Sequence, residues 1–302
     1  MEELNREKQY TVCGQRMPDR QPYFTQPGEI ERYPFSFRPV GSDHIRFYHI
    51  ADVHNFPDMA IAAATAYGPM DFLVLNGDIP DHSGDPTKFD TIYELASALT
   101  AGEIPIVFAR GNHDMRGLYA DRFADYTPTD NGRSFFTFRL GSIWGMVLDC
   151  GEDKLDEGVE YGGTICCHSF RLRETQFIQE TIRAGEYLEP GVQHRLVISH
   201  IPFFFRPKDP LFDIEDTLYT QWCSLLKESI KPTLMLCGHK HMFYLCEPGG
   251  DMDDRGLPCL ALIGPARNLK EYYISYGVQL DGDKTEILLT NDKGETVDRI
   301  LR

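Results

Sequence analysis

The chain has 302 residues, of which 42% are hydrophobic and 12% aromatic, so it is long and apolar enough to bury a large core. Acidic residues outnumber basic residues by 46 to 30, which gives a formal net charge of −16. A surface of that sign repels nucleic-acid phosphates and anionic lipid head groups, so we expect neither nucleic acid nor a membrane as a partner. The eight cysteines include no CxxC pair, which argues against a disulfide-rich scaffold and against a thiolate zinc site.

The first 40 residues are polar and show no sustained periodicity. They lack the apolar core of a secretory signal, and no part of the chain has the run of about 18 apolar residues that a membrane span needs. We therefore expect a cytoplasmic protein, provided that Met1 is its natural start. Residues 1–40 are predicted to be an N-terminal arm or the remnant of a leader β-domain, with FSFRP at 35–39 as a candidate last strand. Residues 41–302 are predicted to form the main domain.

Apolar runs alternate with helical patterns from Ile45 onwards. Apolar residues have helical spacing in the ranges 58–68, 86–101 and 171–183. A glycine-rich, acidic loop is predicted over 151–170, before the third helix. Short apolar runs predict strands at 45–51, 71–77, 104–111, 134–141, 143–150, 194–200 and 232–239, and in four runs between 243 and 292. This order of elements predicts an α/β (α+β) fold of two mixed sheets with helices outside.

Asp, Asn and His residues follow five of the predicted strands at the point where each strand ends. In open α/β sheets, ligand sites lie in the loops that leave the carboxyl ends of the strands. We therefore expect these five clusters to form one site. The clusters are D-x-H (Asp52, His54), G-D-x-x-D (Gly77, Asp78, Asp81), G-N-H-D (Gly111, Asn112, His113, Asp114), a lone His200, and G-H-x-H (Gly238, His239, His241).

The clustered side chains are metal ligands in both type and spacing. Imidazole nitrogens with carboxylate and amide oxygens suit borderline divalent ions such as Mn, Fe, Co, Ni and Zn. Alternate side chains of an extended segment point to the same side, so Asp52 and His54 can hold one ion, and His239 and His241 have the same spacing. The Asp78 carboxylate can bridge two ions. Divalent cations are predicted here because so many buried carboxylates and imidazoles would otherwise be strongly destabilised by desolvation and repulsion.

The ordered set of five motifs resembles the calcineurin-like metallophosphoesterase superfamily, over about residues 45–265. Each short motif is common by itself, although G-H-x-H is expected only roughly 0.03 times by chance in a chain of this composition. The resemblance implies a four-layer β-sandwich of two mixed sheets flanked by helices. It implies two ions, one held by Asp52, His54, Asp78 and His241 and the other by Asp78, Asn112, His200 and His239.

The same resemblance implies a dinuclear metal-dependent phosphoester hydrolase in which a metal-bridging hydroxide attacks phosphorus. His113 would lie beside the substrate, where as imidazolium it could protonate the leaving oxygen, and Asp114 would orient it. We expect a small phosphorylated substrate. Monoesters and diesters stay open, because the motif residues determine the reaction rather than the leaving group. The alternative is a non-catalytic scaffold of this fold that binds a partner protein, although such scaffolds usually lose ligands and every ligand position is filled here.

Other residues near the motifs have two interpretations each. Arg110, directly before Gly111, could contact a substrate phosphate or pair with a carboxylate, and His168 in the predicted loop is a second candidate for binding substrate. The run FFFR at 203–206 could be an aromatic pocket wall or part of the core. A fainter likeness connects the chain to purple acid phosphatases. Those enzymes place a tyrosine ligand after the Gly-Asp motif, where residues 79–81 (Ile-Pro-Asp) stand here, so we expect no ferric site.

Overall fold

The computed structural model describes residues 2–20, 23–268 and 270–302. In chain order, the helices are α1 (Glu2–Glu7), α2 (Pro57–Tyr67), α3 (Asp90–Thr100), α4 (Cys167–Ala184) and α5 (Asp216–Leu225). The strands are β1 (Gln9–Gln15), β2 (Asp19–Arg20), β3 (Thr25–Gln26), β4 (Ile30–Ser36), β5 (Ile45–Ile50), β6 (Phe72–Asn76), β7 (Ile106–Ala109), β8 (Phe136–Leu140), β9 (Ile143–Leu148), β10 (His194–Ser199), β11 (Leu234–Cys237), β12 (Tyr244–Cys246), β13 (Ala261–Ile263), β14 (Ala266–Asn268), β15 (Tyr272–Asp281), β16 (Lys284–Asn291) and β17 (Thr296–Leu301).

Two large mixed sheets contain most of the strands. The first has the order β17-β16-β15-β5-β6-β7, with β14 paired to β15, and its strands β5, β6 and β7 run parallel. The second has the order β12-β13-β11-β10-β9-β8, in which the four central strands run parallel and both edge strands are antiparallel to their neighbours. The predicted α/β fold of two mixed sheets is thus confirmed.

Apolar side chains of the two sheets meet in a shared core. Phe47 and Phe72 of the first sheet lie in the same buried cluster as Leu196 and Leu236 of the second. Helices α2 and α3 cover the outer face of the first sheet, and α4 and α5 cover the outer face of the second. The layers are therefore helix, sheet, sheet, helix, as the family resemblance implies. Strands covered on both faces are expected to be apolar throughout, and every residue of β6 and β9 is buried.

The boundary between the acidic loop and α4 differs from the prediction. The loop was expected to reach residue 170, but α4 begins at Cys167. The Asp156 carboxylate accepts hydrogen bonds from the backbone N–H groups of Cys167 (2.9 Å) and His168 (3.1 Å). It satisfies donors that a helix N-terminus leaves without intrahelical partners. Because Asp156 is eleven residues upstream, the local pattern does not show this contact.

Helix α5 and strand β17 were not predicted from the sequence. None of the helices in the described ranges is long and apolar enough to cross a membrane.

The N-terminal segment contains an antiparallel pair, β1 with β4, in register from Gln9 opposite Ser36 to Gln15 opposite Ile30. The pair is attached to the turn after α3. The Tyr10 hydroxyl donates to the Gly102 carbonyl (2.6 Å), and its ring stacks on Phe35 with centroids 5.1 Å apart. The candidate strand at 35–39 overlaps only the end of β4. The division into a segment 1–40 and a domain 41–302 stays a prediction.

Gly277 in β15 provides a test of the packing between the first sheet and α2. A Cβ at this position would lie 2.2 Å from Cε2 of Tyr67, a buried residue at the end of α2 whose hydroxyl donates to the Val278 carbonyl (2.9 Å). We expect Gly277→Ala to lower the free energy of unfolding by about 1–3 kcal/mol, because the ring and the helix must move. Denaturant titration measures the change. Gly14→Ala is the control, since no atom lies within 4 Å of its Cβ position; equal losses in both variants would contradict this account.

Candidate metal centre

The five motif clusters converge at one edge of the two sheets. Asp52, Asp78 and Asn112 lie in the loops after β5, β6 and β7 of the first sheet, and His200 and His239 follow β10 and β11 of the second. Backbone hydrogen bonds connect the loops: Asp52 N donates to the Gly77 carbonyl (3.0 Å), and Gly238 N donates to the His200 carbonyl (2.8 Å). The loops therefore hold each other in position, and the site is shared by both sheets.

The predicted ligands form two adjacent groups. Asp52, His54 and His241 offer donor atoms within 4.8 Å of one another, and so do Asp78, His200 and His239. Oδ2 of Asp78 lies 3.2 Å from Nε2 of His200 and 4.0 Å from Nε2 of His54, so this carboxylate stands between the groups. The seventh predicted ligand, Asn112, contacts the second group, because its Oδ1 is 3.1 Å from Nδ1 of His239.

The backbone at the ligands is strained. L-residues with positive φ are uncommon and cost roughly 1–3 kcal/mol each, and they persist only where the surroundings impose them. Five of the seven predicted ligands have this conformation: Asp52 (φ 52°), His54 (48°), Asp78 (52°), His239 (72°) and His241 (51°). Asp and His adopt this conformation more readily than most residues, and its concentration at one place indicates a functional site.

Gly111 of the G-N-H-D motif is explained by a close approach to Asp78. A Cβ on residue 111 would lie 2.2 Å from Oδ1 of Asp78. The same Oδ1 accepts a hydrogen bond from the backbone N–H of His113 (2.9 Å). Backbone atoms of the motif therefore surround Oδ1 of Asp78, and Oδ2 of the same carboxylate points towards the histidines.

The buried charges of the site depend on one another. Burial by itself raises the pKa of the Asp78 carboxyl, but the charge of His200, whose Nε2 lies 3.2 Å away, outweighs that effect and holds the pKa below its ordinary value. Burial lowers the pKa of His200, and the Asp78 and Asp52 carboxylates raise it to about 10. Burial lowers the pKa of His54 and of His239 to about 4. At physiological pH the imidazoles of His54 and His239 are therefore neutral, which is the state that binds a metal. His200 carries a proton that supplies positive charge to the carboxylates, and this ring must lose a proton to bind a cation.

The hydrogen bonding of His200 fits a metal ligand. Its Nδ1 lies 2.6 Å from the Asn76 carbonyl and donates to it, which turns Nε2 towards the carboxylates of Asp78 and Asp52. Nε2 is fully buried and makes no hydrogen bond of acceptable geometry. A ligand histidine usually donates its other ring N–H to a carbonyl or carboxylate in this way. Together with the oxygen and nitrogen donor set, this arrangement suits a borderline divalent cation.

His113 lies beside the two groups, and a backbone carbonyl orients it. Its Nε2 is 3.9 Å from Oδ2 of Asp78, and its Nδ1 is 2.8 Å from the Asp81 carbonyl. Asp114, expected to orient His113, instead accepts from the backbone N–H groups of Gly111 (2.7 Å) and Asp78 (3.2 Å). Burial and the nearby Asp78 charge raise the pKa of the Asp114 carboxyl well above its ordinary value. In the structure, Asp114 therefore braces the loops that carry Asp78.

Arg116, Glu152 and Asp153 form a charged group at the rim of the site. The sequence motifs did not predict this group. The guanidinium of Arg116 lies 3.2 Å from Nε2 of His113 and also donates to Glu152 (2.8 Å) and Asp153 (3.1 Å). Because a guanidinium only donates, Nε2 of His113 accepts, and Nδ1 carries the ring proton. The Tyr161 hydroxyl joins the group through Glu152 (3.0 Å). Arg116 is only three residues after His113 in the sequence, and this short separation could have indicated that Arg116 lies near the site.

The two predicted substrate-binding residues have protein partners. Nε of Arg110 lies 2.6 Å from Oδ2 of the buried Asp149, which is the carboxylate pairing that the sequence left open. His168 is in the first turn of α4 rather than in a loop, and its Nδ1 is 2.7 Å from Oε1 of Glu215. The structure brings the seven predicted ligands, His113 and Asp114 together. It places Arg110 and His168 in contacts outside that cluster.

With the fold and the ligand cluster in place, comparison with known proteins identifies the family. The model of the calcineurin-like phosphoesterase family matches residues 45–243, well over half of the chain, and the chain belongs to this family. Among similar proteins is a serine/threonine-protein phosphatase CPPED1 from Pongo abelii, 23% identical over 214 residues that cover 68% of this chain and 64% of the relative. The protein of the same name from Danio rerio is 28% identical over 141 residues, 46% of this chain and 42% of the relative.

The chain therefore spans less than two thirds of the length of either relative. Among solved structures, a purple acid phosphatase PPD1 from yellow lupin (Lupinus luteus) seeds is similar in fold, with a TM-score of 0.59 and 11% identity. The match covers 92% of this chain and 57% of that structure. At this identity the likeness concerns the fold alone, and it agrees with the two mixed sheets flanked by helices.

The Arg110–Asp149 pair has a measurable structural role. Asp149 is 1% exposed and Arg110 19% exposed, so Asp149→Asn leaves a largely buried cation without its counter-charge. Removing one partner of a buried pair costs about 3 kcal/mol or more, and we expect that loss in denaturant titrations. Asp130→Asn is the control, because the Arg133–Asp130 pair is about half exposed and exposed pairs contribute less than about 1 kcal/mol. An unchanged stability of Asp149→Asn would show that Arg110 does not need this partner.

Proposed function

We propose that this protein is a dinuclear metal-dependent phosphoric ester hydrolase. The observation that carries the proposal is the position of the Asp78 carboxylate between the groups Asp52–His54–His241 and Asp78–His200–His239. A carboxylate in that position can serve both groups, and Asn112 completes the second one. Two divalent ions bound there would activate water and neutralise charge on the phosphoryl oxygens.

His113 and Arg116 are the two residues beside the metal centre that we propose to act during the reaction. Nε2 of His113 lies 3.9 Å from Oδ2 of Asp78, so a phosphoryl group held by ions at this carboxylate would lie close to the His113 ring. The resemblance suggested an imidazolium at this position. The contact from Arg116 favours a neutral ring instead, and the guanidinium carries the positive charge. We propose that Arg116 turns to donate to the phosphoryl oxygens, and that Nε2 of His113 is then free to accept a hydrogen bond from the attacking water.

A phosphomonoester is the substrate class that the relatives favour. Both curated relatives are named serine/threonine-protein phosphatases, so phosphorylated peptides are among the substrates to test here. The alternative, a non-catalytic scaffold of the same fold, is disfavoured because none of the seven ligand positions is replaced and His113 is held beside them without being one of them.

The first experiment measures hydrolysis of p-nitrophenyl phosphate and bis-p-nitrophenyl phosphate after loading with Mn, Fe, Co, Ni or Zn. We expect turnover that requires metal, and a loss of at least about 100-fold in Asp78→Asn, together with fewer bound ions than in the wild type. Faster cleavage of the monoester would identify a monoesterase. Asp251→Asn, a change of an exposed acid outside the site, is the matched control and should keep full activity.

The outcomes separate the two functions. Two bound ions without hydrolysis of either ester or of a phosphoserine peptide would favour the scaffold. Hydrolysis without metal would overturn the assignment of the site.

His113→Asn tests the residue beside the ions. Because His113 acts on the reacting group, we expect kcat to fall by about 100-fold or more, while the metal content measured by elemental analysis stays at the wild-type level. His44→Asn is the control, since that side chain is 69% exposed and pairs with Asp281. A loss of bound metal in His113→Asn would instead make His113 a ligand.

A further inference from the structure

A cleft opens directly beside the metal centre. It has a volume of about 510 Å³, and His239 and Asp153 form its inner end. Oδ2 of Asp153 lies 3.9 Å from Nε2 of His239, so the cleft begins at the Asp78–His200–His239 group. Substrate pockets have volumes of this order and are lined mainly by apolar and aromatic side chains with a few polar groups. The remaining wall comes largely from the segment 201–214, which follows His200.

The aromatic run after His200 divides between the core and this cleft. Phe203 and Phe204 are 1% and 0% exposed, and the Phe203 ring packs edge-on against Trp222 at 5.5 Å. Phe205 is only partly buried and lines the cleft, as does Phe212. Phe204 therefore belongs to the core and Phe205 to the cleft wall, while the buried Phe203 contributes to both.

A buried arginine holds this wall in place. Nη1 of Arg255 donates to the carbonyls of Phe203 (3.2 Å) and Phe205 (2.5 Å), and Nη2 donates to Asp213 (2.7 Å). Arg255 is 5% exposed, so these bonds lie away from solvent. The partly exposed ring of Phe205 is thus presented by a fixed segment rather than by a loose loop.

The charged side chains that line the cleft have both signs, with Lys208 and Lys240 beside Asp153 and Asp209. Nζ of Lys240 lies 5.0 Å from the Phe205 ring centroid, and Nζ of Lys154 lies 5.0 Å from the Phe212 ring centroid. Lys154 is outside the lining of the cleft and pairs with Asp153 at 2.9 Å. The charges of the cleft therefore largely balance, and its aromatic side chains leave an apolar surface for an uncharged part of a ligand.

We propose that this cleft binds the alcohol part of the substrate, and that the substrate is a phosphate ester of an aromatic alcohol whose ring contacts Phe205 and Phe212. The inference rests on the proposed function, because the phosphoryl group must lie at the metal centre for its alcohol to reach the cleft at His239. Aromatic side chains favour a ring over an aliphatic group of equal size. Free aryl phosphates and phosphotyrosyl side chains share this chemistry.

Three phosphonates that cannot be hydrolysed test the cleft by binding alone. Methylphosphonate, cyclohexylmethylphosphonate and benzylphosphonate carry the same head group, and calorimetry with the Mn-loaded protein gives their Kd values. We expect benzylphosphonate to bind at least about 5-fold more tightly than cyclohexylmethylphosphonate, and methylphosphonate to bind most weakly. Equal Kd values for the ring and the cyclohexyl compound would overturn the aromatic assignment. Equal Kd values for all three would overturn the cleft as the binding site.

Substitutions of Phe205 and Phe212 test whether these residues cause the preference for benzylphosphonate. Phe205→Leu keeps an apolar side chain of similar size, so we expect the protein to stay folded and the preference for benzylphosphonate over cyclohexylmethylphosphonate to fall by about threefold or more, with methylphosphonate unaffected. Phe24→Leu is the matched control, since Phe24 is 82% exposed and far along the chain from the site. An unchanged preference in both Phe205→Leu and Phe212→Leu would contradict the proposal.

Two further results separate this inference from the proposed function. Binding of methylphosphonate without added affinity for benzylphosphonate would leave the metal centre intact and overturn only the cleft. Failure of all three phosphonates to bind would overturn both. Phenyl phosphate and a phosphotyrosyl peptide, used as competitors, distinguish the sources, and tighter binding of either than of phosphoserine supports the aromatic class.

Discussion

The buried carboxylate of Asp78 is the group on which the rest of the site depends. Burial of an ionised carboxylate is costly unless charges and hydrogen bonds compensate it. Here His200 lies 3.2 Å away, and the backbone N–H of His113 binds the other oxygen. The loops that provide this compensation adopt left-handed backbone at five predicted ligands. The metal ions that the family and the donor set imply would add the missing positive charge.

The two-sheet architecture makes this compensation possible. Asp52 and Asp78 come from the first sheet and His200 from the second, so their distances depend on how the sheets pack. The shared core between them contains fully buried residues such as Phe47 and Leu236. Close packing in such a core tolerates little movement. A rigid interior therefore supports strained loops at its edge, which is the usual relation between scaffold and site.

The rim of the site determines what can approach it. Arg116 connects His113 to Glu152 and Asp153, and Asp153 also stands at the inner end of the cleft. One network thus touches both the residue beside the ligands and the surface proposed to bind the alcohol part of the substrate. The strong negative charge of the chain and the lysines at this cleft are compatible, because a local field depends on the nearest groups more than on the total.

The sequence by itself determined the class of fold, the types of the predicted ligands and the strand ends on which these residues lie. This was possible because apolar periodicity and short motifs are local properties of the chain. Only the tertiary structure decided that Asp81 rather than Asp114 orients His113, that Arg110 pairs with Asp149, and that Arg116 reaches the site. These contacts join residues that are distant in the chain or lie in loops without periodicity. The start of α4 at Cys167 was missed for the same reason, since Asp156 satisfies its first turn from across a loop. Left-handed backbone at Asp78 was equally out of reach, because surrounding contacts impose it and the modest preference of Asp for this region does not identify a single position.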